Sequence, residues 1–342
     1  MSDRKVRRGQ VRSIFNPCTD PYFNIASDEY ILDASRGDVF MLWRNSPSVI
    51  IGKNQNAWGE VNVPYVTEEG IPVVRRITGG GAVFHDLGNV NFSFVTRADD
   101  STKLNFEKFT RPIISALASL GVNASLDGRN DLVANGFKIS GNAECVKKNR
   151  YGDMMLLHHG TLLFGADMSR LASALRVDPE KIASKGIKSV RSRVKNISEL
   201  DCYTGPRDVG EFIERIMSEV GSGEACGFTE AERSEIDERR RGKFATWEWN
   251  FGASPSFETK KKVRFPFGTV EINFTCREGR ISDIKIFGDF FGTEDVSSLE
   301  QAVLGERYER GSVSSRLDRC RGVVASCIEG ASPDDIAEVF FR

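Results

Sequence analysis

The sequence predicts an α+β protein of two domains, and three observations carry that reading. The chain has 342 residues, more than the roughly 250 to 300 at which a single core stops growing. Apolar runs rich in β-branched and aromatic residues recur through its first third, separated by Gly, Pro, Asn and Asp, a strand-and-turn signature. Segments of helical spacing then alternate with further strand signals, and the pattern resets after Asn250. The expected units are residues 1–250 and 251–342.

The early strands are VFMLW (39–43), SVIIG (48–52), IPVVR (71–75), GAVFH (81–85) and NFSFV (91–95). A helix follows, with Phe106, Phe109, Ile113 and Leu120 on one face and Gly121 as its stop. Pro112 lies inside that pattern, so the helix either starts near Arg111 or is kinked there. NDLVANGFKISGNAE and MMLLHHGTLLFG return to strand signals. Two amphipathic helices come next, over Asp208–Val220 and from Thr229, where Thr229 and Glu232 form a capping box. After WEWNFG, the positions Val270, Ile272, Phe274 and Cys276 alternate, the chain turns at Glu278-Gly279, and it returns through Ile281 and Ile284 or Ile286. Helical segments near 296–305, 315–328 and 333–341 complete a small α+β unit, and no internal repeat is visible.

Composition narrows the function classes. With 40% apolar and 28% charged residues the chain reads as an ordinary globular protein, and a net charge of −1 argues against a surface built to grip nucleic acid. No apolar run approaches the roughly 18 residues that cross a bilayer, and MSDRKVRRGQV lacks the apolar segment of a secretory signal. A cytoplasmic protein without membrane contact is expected; the basic start is short and carries Asp3, which disfavours an organelle leader. Seven cysteines without a C-x-x-C pair suit reduced thiols, with no disulfide framework and no structural metal.

Four stretches carry chemistry. In RRITGGGAVFHDLGN, a flexible linker would be polar on both sides, but Ile71, Val73 and Val74 precede the glycines and Ala82, Val83 and Phe84 follow. Glycines within a sheet mark a close approach, and a turn of backbone N–H groups cradles an anion, with Arg75 and Arg76 alongside. No Walker or dinucleotide glycine spacing is present. In GFKISGN, Lys138 points away from its apolar neighbours Phe137 and Ile139, as a solvated strand lysine or a functional one. His158 and His159 are adjacent on a strand and so face opposite sides; only one of them can meet a pocket. KGIKSVRSRVK carries Lys185, Lys188, Arg191 and Arg193 with no acid and no aromatic, which fits a phosphate-facing loop better than an RNA platform.

Taken together, RRITGGGAVFHDLGN, GRNDLVANGFKISGNAE, HHGTLLFGADMSRL, KGIKSVRSRVKNISEL and WEWNFGASPSF resemble a lipoate–protein ligase of the two-domain bacterial type, from about Phe15 to the C-terminus. The resemblance implies a biotin/lipoate-ligase-like mixed sheet flanked by helices, plus a small C-terminal domain. It implies that lipoate and ATP with Mg2+ give lipoyl-AMP. The acyl group then passes to a lysine of a lipoyl domain of a 2-oxoacid dehydrogenase E2 subunit or of the glycine-cleavage H protein. A monomer is expected. Matched residue by residue, Lys138 is the catalytic lysine contacting both lipoate and ATP. Arg76 with Gly81, Ala82, Val83 and Phe84 is the ATP-binding turn. Trp43, Arg75, His85, His158 and His159 line the lipoate pocket, Asp131 meets magnesium or the acceptor amine, and the 185–193 loop covers the adenylate. The rivals are a transferase with a cysteine nucleophile, disfavoured because no cysteine lies between Cys18 and Cys145, and a non-catalytic protein that keeps the fold and binds RNA.

Overall fold

The computed structural model describes residues 11–99, 105–175, 194–252 and 259–342. Its largest sheet has seven strands in the order β1 (Arg12–Asn16), β2 (Val39–Trp43), β6 (Asn89–Arg97), β10 (Met154–Leu163), β9 (Phe137–Lys148), β8 (Asp131–Ala134), β7 (Ser125–Asp127). β1 and β2 run parallel and the other neighbours antiparallel, so the sheet is mixed. A small sheet sets β3 (Ser48–Ile51) between β4 (Val73–Arg75) and β5 (Val83–His85). The third is a meander of β11 (Thr259–Phe265), β12 (Gly268–Arg277) and β13 (Arg280–Gly288).

The main sheet is covered on both faces. On one, Phe40, Leu42, Phe92 and Leu162 pack under the helices Phe106–Ala118 and Val209–Val220. On the other, Met41, Trp43, Val95, Met155 and Leu157 meet the helix Pro21–Ala34 together with Ile50 and Val74 of the small sheet. The helix Pro21–Ala34 has no counterpart among the elements expected above. It is buried on nearly all sides, so its apolar residues trace no one-sided stripe.

Pro112 does not start its helix, which runs from Phe106 to Ala118 with Asn105 as the cap. Pro112 is exposed, so the carbonyl that loses its partner faces water. The hairpin between β8 and β9 turns through Asn135 and Gly136, both at positive φ, 51° and 79°, the two-residue turn that matches strand twist. The choice between Ile284 and Ile286 falls away, because both are buried: a register shift at Thr275/Cys276 breaks the alternation between Ile281 and Ile284. The helical segment expected at 315–328 is two helices, Arg310–Arg319 and Arg321–Cys327.

The meander and the helices after it enclose their own apolar cluster. This unit meets the rest of the chain at the triple glycine. Gly80 N–H points to the Phe290 carbonyl at 3.4 Å, Phe291 packs on Phe106 at 5.4 Å between ring centres, and Lys53 pairs with Asp295. A Cβ on Gly79 would come within 2.5 Å of that same carbonyl oxygen, and one on Gly80, at φ +88°, would crowd the Phe291 ring at 3.2 Å. Gly81 has open space where a Cβ would be. Two of the glycines therefore admit another part of the chain, and the third leaves room at the cavity described next.

Candidate active site

A row of residues crosses the main sheet on the face beneath Pro21–Ala34. Trp43 stands opposite Asn91 and Asn91 opposite Thr161; the Thr161 hydroxyl accepts from Gly141 N–H at 3.1 Å; Gly141 stands opposite Asp131. Strands lie about 4.8 Å apart, so the three steps from Trp43 to Gly141 span about 14 Å. Arg76, Gly81, Ala82, Val83 and His85 stand over this row, and together they wall a cleft of about 590 Å³, counting its open mouth.

At one end, Lys138 Nζ lies 2.7 Å from Asp131 Oδ1, each side chain about one-third exposed (34% and 33%). Close to Gly141, the amine sits where a side chain would crowd it: a Cβ there would be 3.2 Å from Nζ. The strand backbone at Lys138 is pinned by Lys195, whose N–H donates to the Lys138 carbonyl at 3.1 Å. Lys185, Lys188, Arg191 and Arg193 lie outside the described residues.

Arg76 is buried, and its bonds go to neutral oxygens: Nε to Thr78 Oγ1 at 2.9 Å, Nη2 to the carbonyls of Gly79 at 2.6 Å and Gly81 at 2.9 Å, and Nη1 toward Ile50 O at 3.4 Å. It holds the glycine turn closed from inside. Burial, with the Arg75 charge beside it, pushes its guanidinium down to about 10. A buried cation without a carboxylate on its bonds favours an anion nearby.

A chain of polar bonds runs behind the pocket. Arg76 donates to the Thr78 hydroxyl, which also meets His159 Nε2 at 2.7 Å. On its other side, His159 Nδ1 lies 2.7 Å from Asp28 Oδ2. Asp28 Oδ1 also accepts from Ser93 Oγ at 2.6 Å, and Ser93 accepts from Trp43 Nε1 at 3.0 Å. The indole N–H is used inside, so Trp43 offers the cavity its ring.

Of the residues expected at the site, Lys138, Arg76, Gly81, Ala82, Val83, Trp43, His85 and His159 are brought to one cleft. Three are not. Arg75 turns the other way and donates to the carbonyls of Gly52, Lys53, Gln55, Trp249 and Asn250 at 2.6 to 3.1 Å, clamping the turn Glu248–Gly252. Successive residues at the end of β4 face opposite sides, and Arg75 has the architectural one. His158 is fully buried on the other face of β10, stacked near Phe92 and Phe109, with Nδ1 2.7 Å from Glu144 and Nε2 3.2 Å from Asn142. Burial pushes it well below the usual histidine range. Phe84 sends its side chain into the cluster of Val49 and Val73, leaving only its backbone near the turn.

Residues not singled out above complete the walls, Asn91, Asn130 and Thr161 among them, with Thr78, Ser93 and Asp28 behind. A signal existed in NVNFSFV, where Asn91 and Ser93 alternate with Phe92 and Phe94: polar residues in strict alternation within a core strand mark a wetted face. Among the described residues no group of three or more His, Cys, Asp or Glu is placed so that it could hold a metal ion.

A lysine and a buried arginine line one largely apolar cleft on a mixed sheet, an arrangement suited to holding a ligand with an anionic head and an apolar body. Comparison with known proteins makes this specific. A family model for the lipoyl protein ligase A/B catalytic domain matches residues 20–221, and one for the bacterial lipoate protein ligase C-terminus matches 254–340. Lipoate-protein ligase LplJ of Bacillus subtilis is 44% identical over 306 residues, 87% of this chain and 91% of the relative. Among solved structures, LipL1 of P. falciparum in complex with lipoate shares 26% identity, covers 90% of this chain and 94% of its own, and superposes with a TM-score of 0.73. The bi-partite ligase of Thermoplasma acidophilum, described with its E2 lipoyl domain, shares 30% identity over 74% and 100% of the chains, with a TM-score of 0.61. A lipoate-protein ligase A bound with ATP shares 28% over 72% and 99%, with a TM-score of 0.59. The chain belongs to the lipoate–protein ligase family and is a ligase.

Proposed function

We propose that the chain activates lipoate with ATP to lipoyl-AMP and transfers the lipoyl group to a lysine of its acceptor. The observation that carries this reading is Lys138 Nζ at the mouth of the cleft, paired with Asp131 and unhindered because residue 141 is glycine. In the first half-reaction a lipoate carboxylate oxygen attacks the α-phosphorus, the bond to the pyrophosphate oxygen breaks, and two anions must be neutralised where they meet. Lys138 is the catalytic residue that supplies this charge. Arg76 and the backbone of Gly81, Ala82, Val83 and Phe84 hold the nucleotide phosphates, while Trp43 and His159 line the acyl chain. In the second half-reaction the acceptor amine attacks the acyl carbon, loses a proton and expels AMP.

Magnesium is commonly held by one or two carboxylates plus substrate phosphates, and Asp131 is a carboxylate at the right end of the cleft. Bound there, the ion would neutralise phosphate charge. Residues 1–250 form the catalytic unit in this reading and 251–342 an accessory unit. The acceptor is a lipoyl domain of a 2-oxoacid dehydrogenase E2 subunit or the glycine-cleavage H protein, and the ligase acts as a cytoplasmic monomer. The relative described with its E2 lipoyl domain supports the first acceptor class.

A thioester route is disfavoured. Among the described residues no cysteine lines the cleft, and burial pushes the Cys145 thiol up to about 12, which leaves almost no thiolate at neutral pH. Lipoate-dependent ATP–pyrophosphate exchange by the purified protein tests the reading. Exchange is expected with lipoate, and lipoylation of an acceptor without any lipoate-dependent exchange would overturn it.

A further inference from the structure

Gly128, Arg129 and Asn130 form the tip that joins β7 to β8, with Gly128 at φ +59° and open space where its Cβ would be. Such a tip is ordinarily a loose part of a fold. Here its last residue, Asn130, walls the cleft, and the next, Asp131, holds Lys138. The ion pair does not explain why the tip stays in place: both side chains are about one-third exposed, and exposed pairs hold their partners weakly. Arg129 tethers the tip outward, to the Phe267 carbonyl of the C-terminal unit. The tie toward the cleft is Asn142.

Asn142 is buried, 3% exposed, with its amide on the same face of β9 as His158, which it meets at 3.2 Å. β10 makes room for it: Gly160 stands opposite, and a Cβ there would come within 2.2 Å of Asn142 Oδ1. From that slot the residue grips the tip. Asn130 O accepts from Asn142 N–H at 2.8 Å and from Asn142 Nδ2 at 3.0 Å, while Asn130 Nδ2 donates to Asn142 O at 2.6 Å. Carbonyls only accept, so these bonds orient both amides. The neighbouring Gly141 is the residue over which the charged pair meets: a Cβ there would lie 3.2 Å from Lys138 Nζ and 3.9 Å from Asp131 Oδ1.

We propose that Asn142 is a positioning residue for adenylation: by clamping Asn130 it sets Asp131 against β9, and through Asp131 it sets the place of Lys138 Nζ. The proposal rests on the adenylation reading above. A charge lowers a barrier only where it is held to meet the transition state. Loss of the clamp therefore slows the chemical step and leaves ground-state binding, provided by Trp43 and Arg76 elsewhere in the cleft, nearly untouched.

The test uses the intact chain, ATP–pyrophosphate exchange with lipoate, and acetic anhydride labelling of the ligand-free protein read at each lysine by mass spectrometry. Asn142→Ala should lower kcat about tenfold with KM for lipoate and ATP within about twofold. Asn142→Ser, which keeps a shorter donor, should fall only about threefold. Labelling needs no turnover: Lys138, freed from Asp131, should react about threefold faster in Asn142→Ala while the other lysines keep their wild-type rates. A kcat within twofold of wild type, a loss that appears in KM instead, or unchanged Lys138 labelling overturns the proposal. If Asn142→Ala does not fold, Asn142→Ser decides by the same readings, and wild-type values in it overturn the proposal. No lipoate-dependent exchange by the wild type overturns the adenylation reading instead, and the labelling then still judges whether Asn142 places Lys138.

Discussion

The two faces of the main sheet are made by the same strands and do different work. Beneath Pro21–Ala34, Trp43, Asn91, His159 and Thr161 keep polar atoms and empty space; on the reverse, Phe40, Phe92, His158 and Leu162 are packed solid. Adjacent residues of one type are divided between these roles. His159 joins Asp28 and Thr78 at the pocket while His158 is sealed among phenylalanines. Arg76 closes the glycine turn while Arg75 ties β4 to Glu248–Gly252. Alternation thus places the wall of the cleft and its packed support within one residue of each other, so the wall is backed by close packing.

The comparison breaks if a residue on the packed side controls chemistry more than stability. The largest effect is expected for Lys138→Ala: adenylate formation should fall by about 10² to 10³, or roughly 2.7 to 4 kcal/mol of barrier, with the melting temperature unchanged. Arg75→Ala should do the reverse, lowering stability by about 3 kcal/mol, since five carbonyls lose a buried charged donor. Denaturant midpoints set beside exchange rates for the two variants would show whether the roles separate.

Two glycines sharpen the same contrast. Gly79→Ala should cost about 1 to 3 kcal/mol, because its Cβ meets the Phe290 backbone and not a side chain that moves. Gly81→Ala should leave stability within about 0.5 kcal/mol and raise the KM for ATP. Equal thermal shifts in the two would contradict the division of the turn.

A smaller effect belongs to pH. His158 is held neutral, its folded value lying below its unfolded one. Its contribution to stability is present above about pH 6.5 and is lost as pH falls below that, when the unfolded chain takes up the proton first. In His158→Gln the decline in melting temperature between about pH 6.5 and pH 4 should be shallower, with exchange activity at neutral pH within about threefold of wild type. Smallest of all, Cys145→Ala should leave overall transfer within a few-fold; a loss beyond about tenfold, 1.4 kcal/mol, would revive a thioester step.

Local chemistry was legible in the sequence. The capping box at Thr229 and Glu232, the Glu278-Gly279 turn and the strand over Val39–Trp43 rest on hydrogen bonds and φ angles set within a few residues. So do the alternating positions of β12, and the long motifs identified the family. Lys138 was legible for a related reason, a charge set between Phe137 and Ile139 with small residues around it.

Tertiary structure decided which side of each alternation is which. Period two states that Arg75 and Arg76, or His158 and His159, point apart; only the packing of other elements against the sheet decides which direction is core. The same holds for the glycines. Composition marked a close approach at Gly79 to Gly81, but the group that approaches the first two is a backbone carbonyl more than two hundred residues away, Phe290 O. Contacts at that separation leave no local pattern, because neither partner's conformational preference depends on the other until the chain has folded.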